Sequence, residues 1–333
     1  ALVRSNTLPV AAAAAGPVAR TYLVNSASGA RCLDGSTPRY WLQTATSPAD
    51  SRKWAVHMQG GGWCESLASC ANRAYKRNDV AFGQNCLLGS SDPACFGPVQ
   101  GYTGAPFAEQ MSLLDIPTCN GARWCGALML NDPAGNPLAH GWNKLYIPYC
   151  DGGSFGGQNS STTWTTWSGT LSNGTELVNA TVPLYFRGRI NLEAVIDSAI
   201  KHHGLGVATD VLVGGDSAGG LATYWAADWW AAKVPAARFG AAPDSGYFLS
   251  TTAPGGDMWR EQLHWVVQMM NATSSLDASC RIAHSNTQQL CAFPNVVLEH
   301  IQAPVFVMQS QVDGVMDGIV GVGDRISGRN TVR

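Results

Sequence analysis

At 333 residues the chain can bury a sizeable core, and its length fits one large α/β domain as well as two small ones. Charged residues make up only 13%, the formal net charge is −2, and lysine and arginine do not cluster, which argues against a basic nucleic-acid or polyanion-binding surface. No apolar run reaches membrane-spanning length, so no membrane span is expected.

Taken in order, residues 1–20 are alanine-rich and unpatterned and are expected to be a disordered N-terminal segment. Residues 21–24 and 40–44 alternate like strands around the turn residues Asp34-Gly35-Ser36, which predicts an opening hairpin. A short apolar strand over 53–59 runs into Gly60-Gly61-Gly62-Trp63-Cys64. Residues 65–143 are rich in loop residues and cysteine and read as insertions tied down by local disulfides. A second buried strand, 144–149, ends at Cys150-Asp151-Gly152-Gly153-Ser154. The polar stretch 158–181 fits a pair of edge strands or a decorated loop. Residues 187–203 read as an amphipathic helix with Ile190, Ala194, Ile196 and Ile200 on or near its apolar face. A β-branched run at 211–213 leads through paired glycines into a helix-compatible run from Leu221. A strand over 238–245, a helix over 258–270 and a last strand over 304–309 follow, the last leading into Ser310-Gln311-Val312-Asp313-Gly314. Strands alternating with helices predict an α/β fold, with a mostly parallel central sheet flanked by helices and functional groups at the strands' carboxyl ends.

Ten cysteines are too many for incidental core residues in a chain of this size. No Cys-x-x-Cys knuckle occurs, so zinc is not expected, and the even count with short local gaps favours disulfides and a secretory route. Asn159, Asn173, Asn179 and Asn271 each begin an Asn-x-Ser/Thr sequon, which agrees with glycosylation on export. The N-terminus has no basic region or apolar core of a signal peptide. Either such a peptide was removed, or the sequence starts partway into a longer chain.

The chemistry centres on Gly215-Asp216-Ser217-Ala218-Gly219-Gly220. This is Gly-x-Ser-x-Gly between a strand and a helix, the setting in which a nucleophilic serine is lifted off a strand end on a sharp turn. Bulky neighbours two positions either side would clash there, which accounts for the glycines. The Ala218 amide then points at a forming oxyanion from a helix N-terminus. Alone, the Gly60-Gly61-Gly62 turn would read as a flexible loop. Ahead of this serine, it stands where an α/β-hydrolase carries its second oxyanion donor. Asp313, just past the last apolar strand, stands where the orienting acid of a Ser…Asp…His order belongs, whereas Asp244 and Asp317 read better as turn or capping residues.

A serine hydroxyl needs an adjacent base, and here the sequence is at odds with the pattern. No histidine occurs after His300, which precedes the last strand and should lie at the wrong end of the sheet. His202 and His203 close a helix, His57 lies on the strand before the glycine turn, His140 in a loop and His264 on a helix. None is placed by chain order. The expected catalytic domain, 21–333, therefore lacks its C-terminal strand and histidine loop, with the base expected beyond Arg333.

The segments Gln59-Gly60-Gly61-Gly62-Trp63-Cys64, Tyr146-Ile147-Pro148-Tyr149-Cys150-Asp151-Gly152, Tyr185-Phe186-Arg187-Gly188 and Gly215-Asp216-Ser217-Ala218-Gly219-Gly220 resemble the pectin acetylesterase family, which also contains the Notum carboxylesterases. Asp244-Ser245-Gly246-Tyr247-Phe248 and Gln309-Ser310-Gln311-Val312-Asp313 match in the same order, and the set looks closer to the plant-type acetylesterases. The resemblance implies an α/β-hydrolase-like fold and a Ser–His–Asp triad, with Ser217 as nucleophile, Asp313 as orienting acid, and the N–H groups of Gly61, Gly62 and Ala218 as oxyanion donors. It also implies disulfides Cys32–Cys150 and Cys64–Cys70, with Cys86–Cys95, Cys119–Cys125 and Cys280–Cys291 as local pairs. Two departures stand out: plant-type members usually carry cysteine where this chain has Asp216, and the family's histidine and final strand lie downstream of Arg333.

The resulting expectation is a secreted, cell-wall serine esterase, a monomer without metal or organic cofactor, that removes O-acetyl groups from a polysaccharide, pectin first. A deacylase of a lipid-modified protein and a non-catalytic glycan-binding member are the alternatives.

Overall fold

The computed structural model describes residues 19–75, 127–171, 175–250 and 256–310. Among the described residues, eight strands build two sheets. The central one holds β1 (Ala19–Leu23), β2 (Arg39–Gln43), β3 (Lys53–Met58), β4 (Asn143–Ile147), β7 (Asp210–Asp216) and β8 (Arg238–Asp244), in the order β1-β2-β4-β3-β7-β8. β4, β3, β7 and β8 run parallel, while β1 and β2 pair antiparallel at one edge. The first strand begins at Ala19, two residues before the expected start at residue 21.

The parallel strands are short apolar runs because both their faces are covered. β3 buries Trp54, Val56 and Met58, and β7 buries Val211 and Val213. Lys144 on β4 is fully buried too. Its ammonium donates to Leu130 O at 2.7 Å, to His140 O at 2.9 Å and to Asn131 Oδ1, and burial pushes its pKa down to about 8.

Chain order makes a crevice. β4 lies on one side of β3, and the chain then crosses to place β7 on the other side, with β8 beyond it. Loops after β3 and β7 therefore diverge at a switch point, where ligands bind in open α/β sheets. The last predicted strand is present as two parallel bridges to β8, Ala241 to Val305 and Asp244 to Met308. Hydrogen bonds of 2.7–3.0 Å join Phe306 N to Ala241 O and Met308 N to Pro243 O.

Helices cover the sheet. α2 (Gly188–His203) buries Leu192, Val195, Ile196 and Ala199. Its apolar stripe is thus rotated from the predicted one, leaving Ile190, Ala194 and Ile200 only partly covered against the core. It ends at Gly204, whose φ of 84° is left-handed and suits a glycine C-terminal cap. α3 (Ala218–Lys233) is apolar around most of its surface and includes the buried Tyr224, Trp225 and Trp230. α4 (Gly256–Met269), α5 (Ala278–Ala283) and α6 (Pro294–Val297) follow β8.

The polar stretch 158–181 forms β5 (Thr163–Thr170) and β6 (Glu176–Leu184), an antiparallel ribbon apart from the main sheet. It packs on α1 (Leu67–Tyr75): Trp167 Nε1 donates to Asn72 Oδ1 at 2.9 Å, and Trp167 is buried with Ala71 and Val182.

Disulfides join Cys32 to Cys150, Cys64 to Cys70 and Cys280 to Cys291. Cys86, Cys95, Cys119 and Cys125 lie outside the described residues. Among the described residues no helix is long and apolar enough to cross a membrane. Cys32–Cys150 spans a sequence separation of 118 and ties the β1–β2 connection to the end of β4. Its loss should lower the unfolding free energy by about 4–5 kcal/mol on chain entropy. Denaturant titration of Cys32→Ser/Cys150→Ser checks this, and an unchanged midpoint would contradict it.

Candidate active site

Five strand ends meet along one edge. Ile147 pairs with Met58, Met58 with Gly215, Asp216 with Asp244, and Asp244 with Met308. Register alone therefore puts the turns after β4, β3, β7 and β8 side by side.

Ser217 stands at the tip of β7 with φ 53° and ψ −119°, a conformation that costs a non-glycine residue on the order of 1–3 kcal/mol. Its N–H donates to Asp244 O at 2.9 Å, and its carbonyl accepts from Leu221 N as α3 begins. The flanking glycines are required by backbone contact. A Cβ on Gly215 would lie 2.6 Å from Met58 O, one on Gly219 2.0 Å from the same oxygen, and one on Gly220 2.5 Å from Asp244 O. The turn is wedged between β3 and β8, and the side chain of Ser217 is left half-exposed.

The glycine turn lies against it. A Cβ on Gly60 would come within 2.2 Å of Asp216 O, while Gly61 and Gly62 have φ of 145° and 63°. Arg73, on α1, donates from Nη2 to Gly61 O at 2.8 Å and to Trp63 O at 3.2 Å. The N–H groups of Gly61, Gly62 and Ala218 donate to no acceptor among the described residues, so three donors remain at this edge, one of them at a helix N-terminus.

Asp216 Oδ1 accepts from Gly60 N at 3.1 Å and is 2.9 Å from His57 Nε2. The His57 ring is buried and stacked 5.4 Å from that of Tyr146. The turn after β4 closes the floor. Ser154 Oγ donates to Ala218 O at 2.7 Å and accepts from Trp63 Nε1 at 2.6 Å. Asp151 is buried, its Oδ2 accepts from Gly153 N and Phe155 N, and burial pushes its carboxyl up to about 7.

Of the expected residues, the fold therefore gathers Ser217, Ala218, Gly61 and Gly62, whereas Asp313 lies outside the described residues, five positions past Met308. Asp244 serves its own turn, accepting from Ser245 Oγ at 2.9 Å. Among the described residues no imidazole bonds to Ser217. His203 pairs with Tyr40 Oη at 2.9 Å and His140 with Asn136 O at 3.2 Å. His300 lies upstream of the Val305 bridge, away from the serine, with its ring 5.7 Å from that of His284. Those two histidines group with Cys280 at metal-ligand spacing, but the Cys280 sulfur is bonded to Cys291 and offers no thiolate. Arg73, Ser154 and the Asp216–His57 pair escaped the sequence reading, because each acts on partners 10 to 159 positions away.

Of the sequons, Asn179 and Asn271 are exposed at left-handed φ, Asn159 is half-exposed, and Asn173 is outside the described residues.

A mixed, mostly parallel sheet whose central strand turns through a glycine-flanked serine into a helix defines an α/β-hydrolase-like protein. The chain belongs to the pectinacetylesterase family, whose model matches residues 11–83 and 120–319. It is 32% identical over 287 residues to pectin acetylesterase 5 of Arabidopsis thaliana, covering 86% of this chain and 55% of that protein. Against pectin acetylesterase 11 of the same plant it is 30% identical over 309 residues, covering 92% and 65%. The chain thus spans somewhat over half the length of these plant relatives. The palmitoleoyl-protein carboxylesterase NOTUM of Schmidtea mediterranea is 24% identical over 196 residues, covering 59% of this chain and 27% of that protein. The crystal structure of the Wnt deacylase Notum from Drosophila shares the fold, with a TM-score of 0.65 at 20% identity over 91% of this chain and 74% of that one.

Two measurements check this site. Gly219→Ala forces a methyl onto Met58 O and should destabilise the fold by about 1–3 kcal/mol or more; an unchanged thermal midpoint would show that the turn is looser than described. Asp151 has a raised folded-state pKa, so the folded chain keeps a proton that the unfolded chain releases between pH about 4 and about 7. Its contribution to stability is present below that window and is lost as pH rises through it. Asp151→Asn should remove this loss and gain on the wild type as pH goes from 5 to 8, read from denaturant midpoints; parallel pH profiles would refute it.

Proposed function

We propose that the protein is a secreted serine carboxylic-ester hydrolase that removes O-acetyl groups from a plant cell-wall polysaccharide, pectin before others. Family membership supports the ester chemistry, and the disulfides fit an oxidising compartment. The observation that carries the reading is Ser217, held at φ 53° beside three unclaimed backbone N–H groups.

In this reading Ser217 Oγ attacks the acetyl carbonyl carbon while an imidazole takes its proton. The carbonyl oxygen becomes an oxyanion facing the N–H groups of Gly61 or Gly62 and of Ala218. Collapse breaks the ester C–O bond, and the leaving sugar oxygen takes the proton from the imidazolium and departs as a hydroxyl. Water then adds to the acetyl-enzyme by the same path and releases acetate and Ser217. Asp313 orients the imidazole. The family order sets that histidine after Asp313. No step calls on a metal or organic cofactor.

Ser217→Ala should cut acetate release from acetylated pectin by at least about 10³-fold without loss of fold, since triad serines act as a unit with their base. Asp313→Asn should cost about 10²–10⁴-fold in kcat by misorienting the imidazole. Activity is followed on the encoded protein with acetylated pectin and with a long-chain acyl ester. Preference for the long chain would favour a lipid-protein deacylase. Failure of a phosphonate probe to label Ser217 would favour a glycan-binding role and end the esterase reading.

A further inference from the structure

We infer that Asp216, braced by His57, is a positioning residue that holds the glycine turn in place for oxyanion stabilisation. The inference rests on the reading of Ser217 as the acylated residue. A single oxygen, Asp216 Oδ1, accepts both Gly60 N at 3.1 Å and His57 Nε2 at 2.9 Å. The two backbones already touch at this point, since a Cβ on Gly60 would lie 2.2 Å from Asp216 O.

His57 cannot act elsewhere without leaving the core. It is 2% exposed, stacked 15° from parallel on Tyr146, and lies on β3 opposite Gly214 of β7. Its place on β3 fixes the height of its Nε2, and that height fixes Asp216 Oδ1. One residue further along, Arg73 Nη2 holds Gly61 O at 2.8 Å. The turn is thus gripped at the Gly60 N–H by a carboxylate and at the Gly61 carbonyl by a guanidinium. Between and beyond those two grips lie the N–H groups of Gly61 and Gly62, which carry no bond among the described residues.

The same residue that precedes the nucleophile therefore sets the distance between the turn and Ser217. Its one carboxylate oxygen takes two donors at once, one from each side of the turn's base. The grip depends on an acceptor atom rather than on charge, because asparagine Oδ1 could take both bonds in the same place.

The test compares Asp216→Ala and Asp216→Asn in the whole protein by two independent readouts. One is amide hydrogen exchange of the peptide that spans residues 59–64, which needs no activity. The other is the split of kcat and KM on a soluble acetyl ester. Asp216→Ala should speed exchange across the turn and lower kcat by about 10–100-fold, with KM within about twofold, as expected for misplaced oxyanion donors. Asp216→Asn should exchange like the wild type and keep kcat within about threefold, at an equal thermal midpoint. If the alanine variant does not fold, Asp216→Cys replaces it and should show the same faster exchange.

Unchanged exchange in Asp216→Ala or Asp216→Cys would overturn the inference. So would equal losses in the alanine and asparagine variants, since these would assign the effect to charge. A wild type without Ser217-dependent hydrolysis would instead remove the acyl-transfer reading, and the exchange data would still decide whether Asp216 holds the turn.

Discussion

Met58 O occupies the space that a side chain at either Gly215 or Gly219 would need, at 2.6 and 2.0 Å from the respective Cβ positions. This contact between the end of β3 and the turn after β7 constrains everything else at the site. With the strand end pressed into the turn, the chain can enter α3 only through a residue with left-handed φ, and that residue is Ser217. The strain is supported on both sides, by the Asp244 carbonyl that takes the Ser217 N–H and by the first turn of α3. The same closeness sets Gly60 against Asp216, whose Oδ1 takes the Gly60 N–H and ties the turn with the unclaimed N–H groups to the residue before the serine.

Beneath this contact the floor is polar but largely satisfied. Ser154 links the indole of Trp63 to the first carbonyl of α3, and Arg73 spans the carbonyls of Gly61 and Trp63. Ser154 joins the turns after β4, β3 and β7, and Arg73 ties the glycine turn to α1, so the edge behaves as one network and not as independent loops. Asp151 is the exception: a fully buried carboxyl whose desolvation outweighs both its two backbone N–H bonds and the nearby Arg73 charge, so its proton affinity is raised. Disulfides reinforce this arrangement from outside. Cys64–Cys70 fastens the start of α1, which carries Arg73, and Cys32–Cys150 fastens the turn that contains Asp151 and Ser154.

Much of this molecule was legible in its sequence. Strand and helix positions follow from apolar runs that end at glycine, and Gly-x-Ser-x-Gly between a strand and a helix marks its own turn, because only small residues fit beside crossing backbones. The order of the turns along the chain also indicates a parallel α/β sheet. Legibility failed where partners are remote. The helix at 188–203 has apolar residues on several faces, and only the packing chose Leu192, Val195, Ile196 and Ala199 over Ile190 and Ile200. Lys144 stands inside an apolar strand, and nothing local reveals that three carbonyl oxygens await its ammonium.

The sequence by itself determined most strands of the central sheet, the helices α2 to α4, the serine turn and its family, since each depends on residues within a few positions of one another. It read the segment holding α1 as loop. Tertiary structure alone decided which strand ends are neighbours. The register of β3 against β7 brings Gly60 to Asp216 and His57 beneath it across 156 and 159 positions, and Arg73 reaches Gly61 from a separate helix. Such contacts arise from strand pairing and helix docking, whose geometry is a property of the assembled sheet and has no local imprint along the chain.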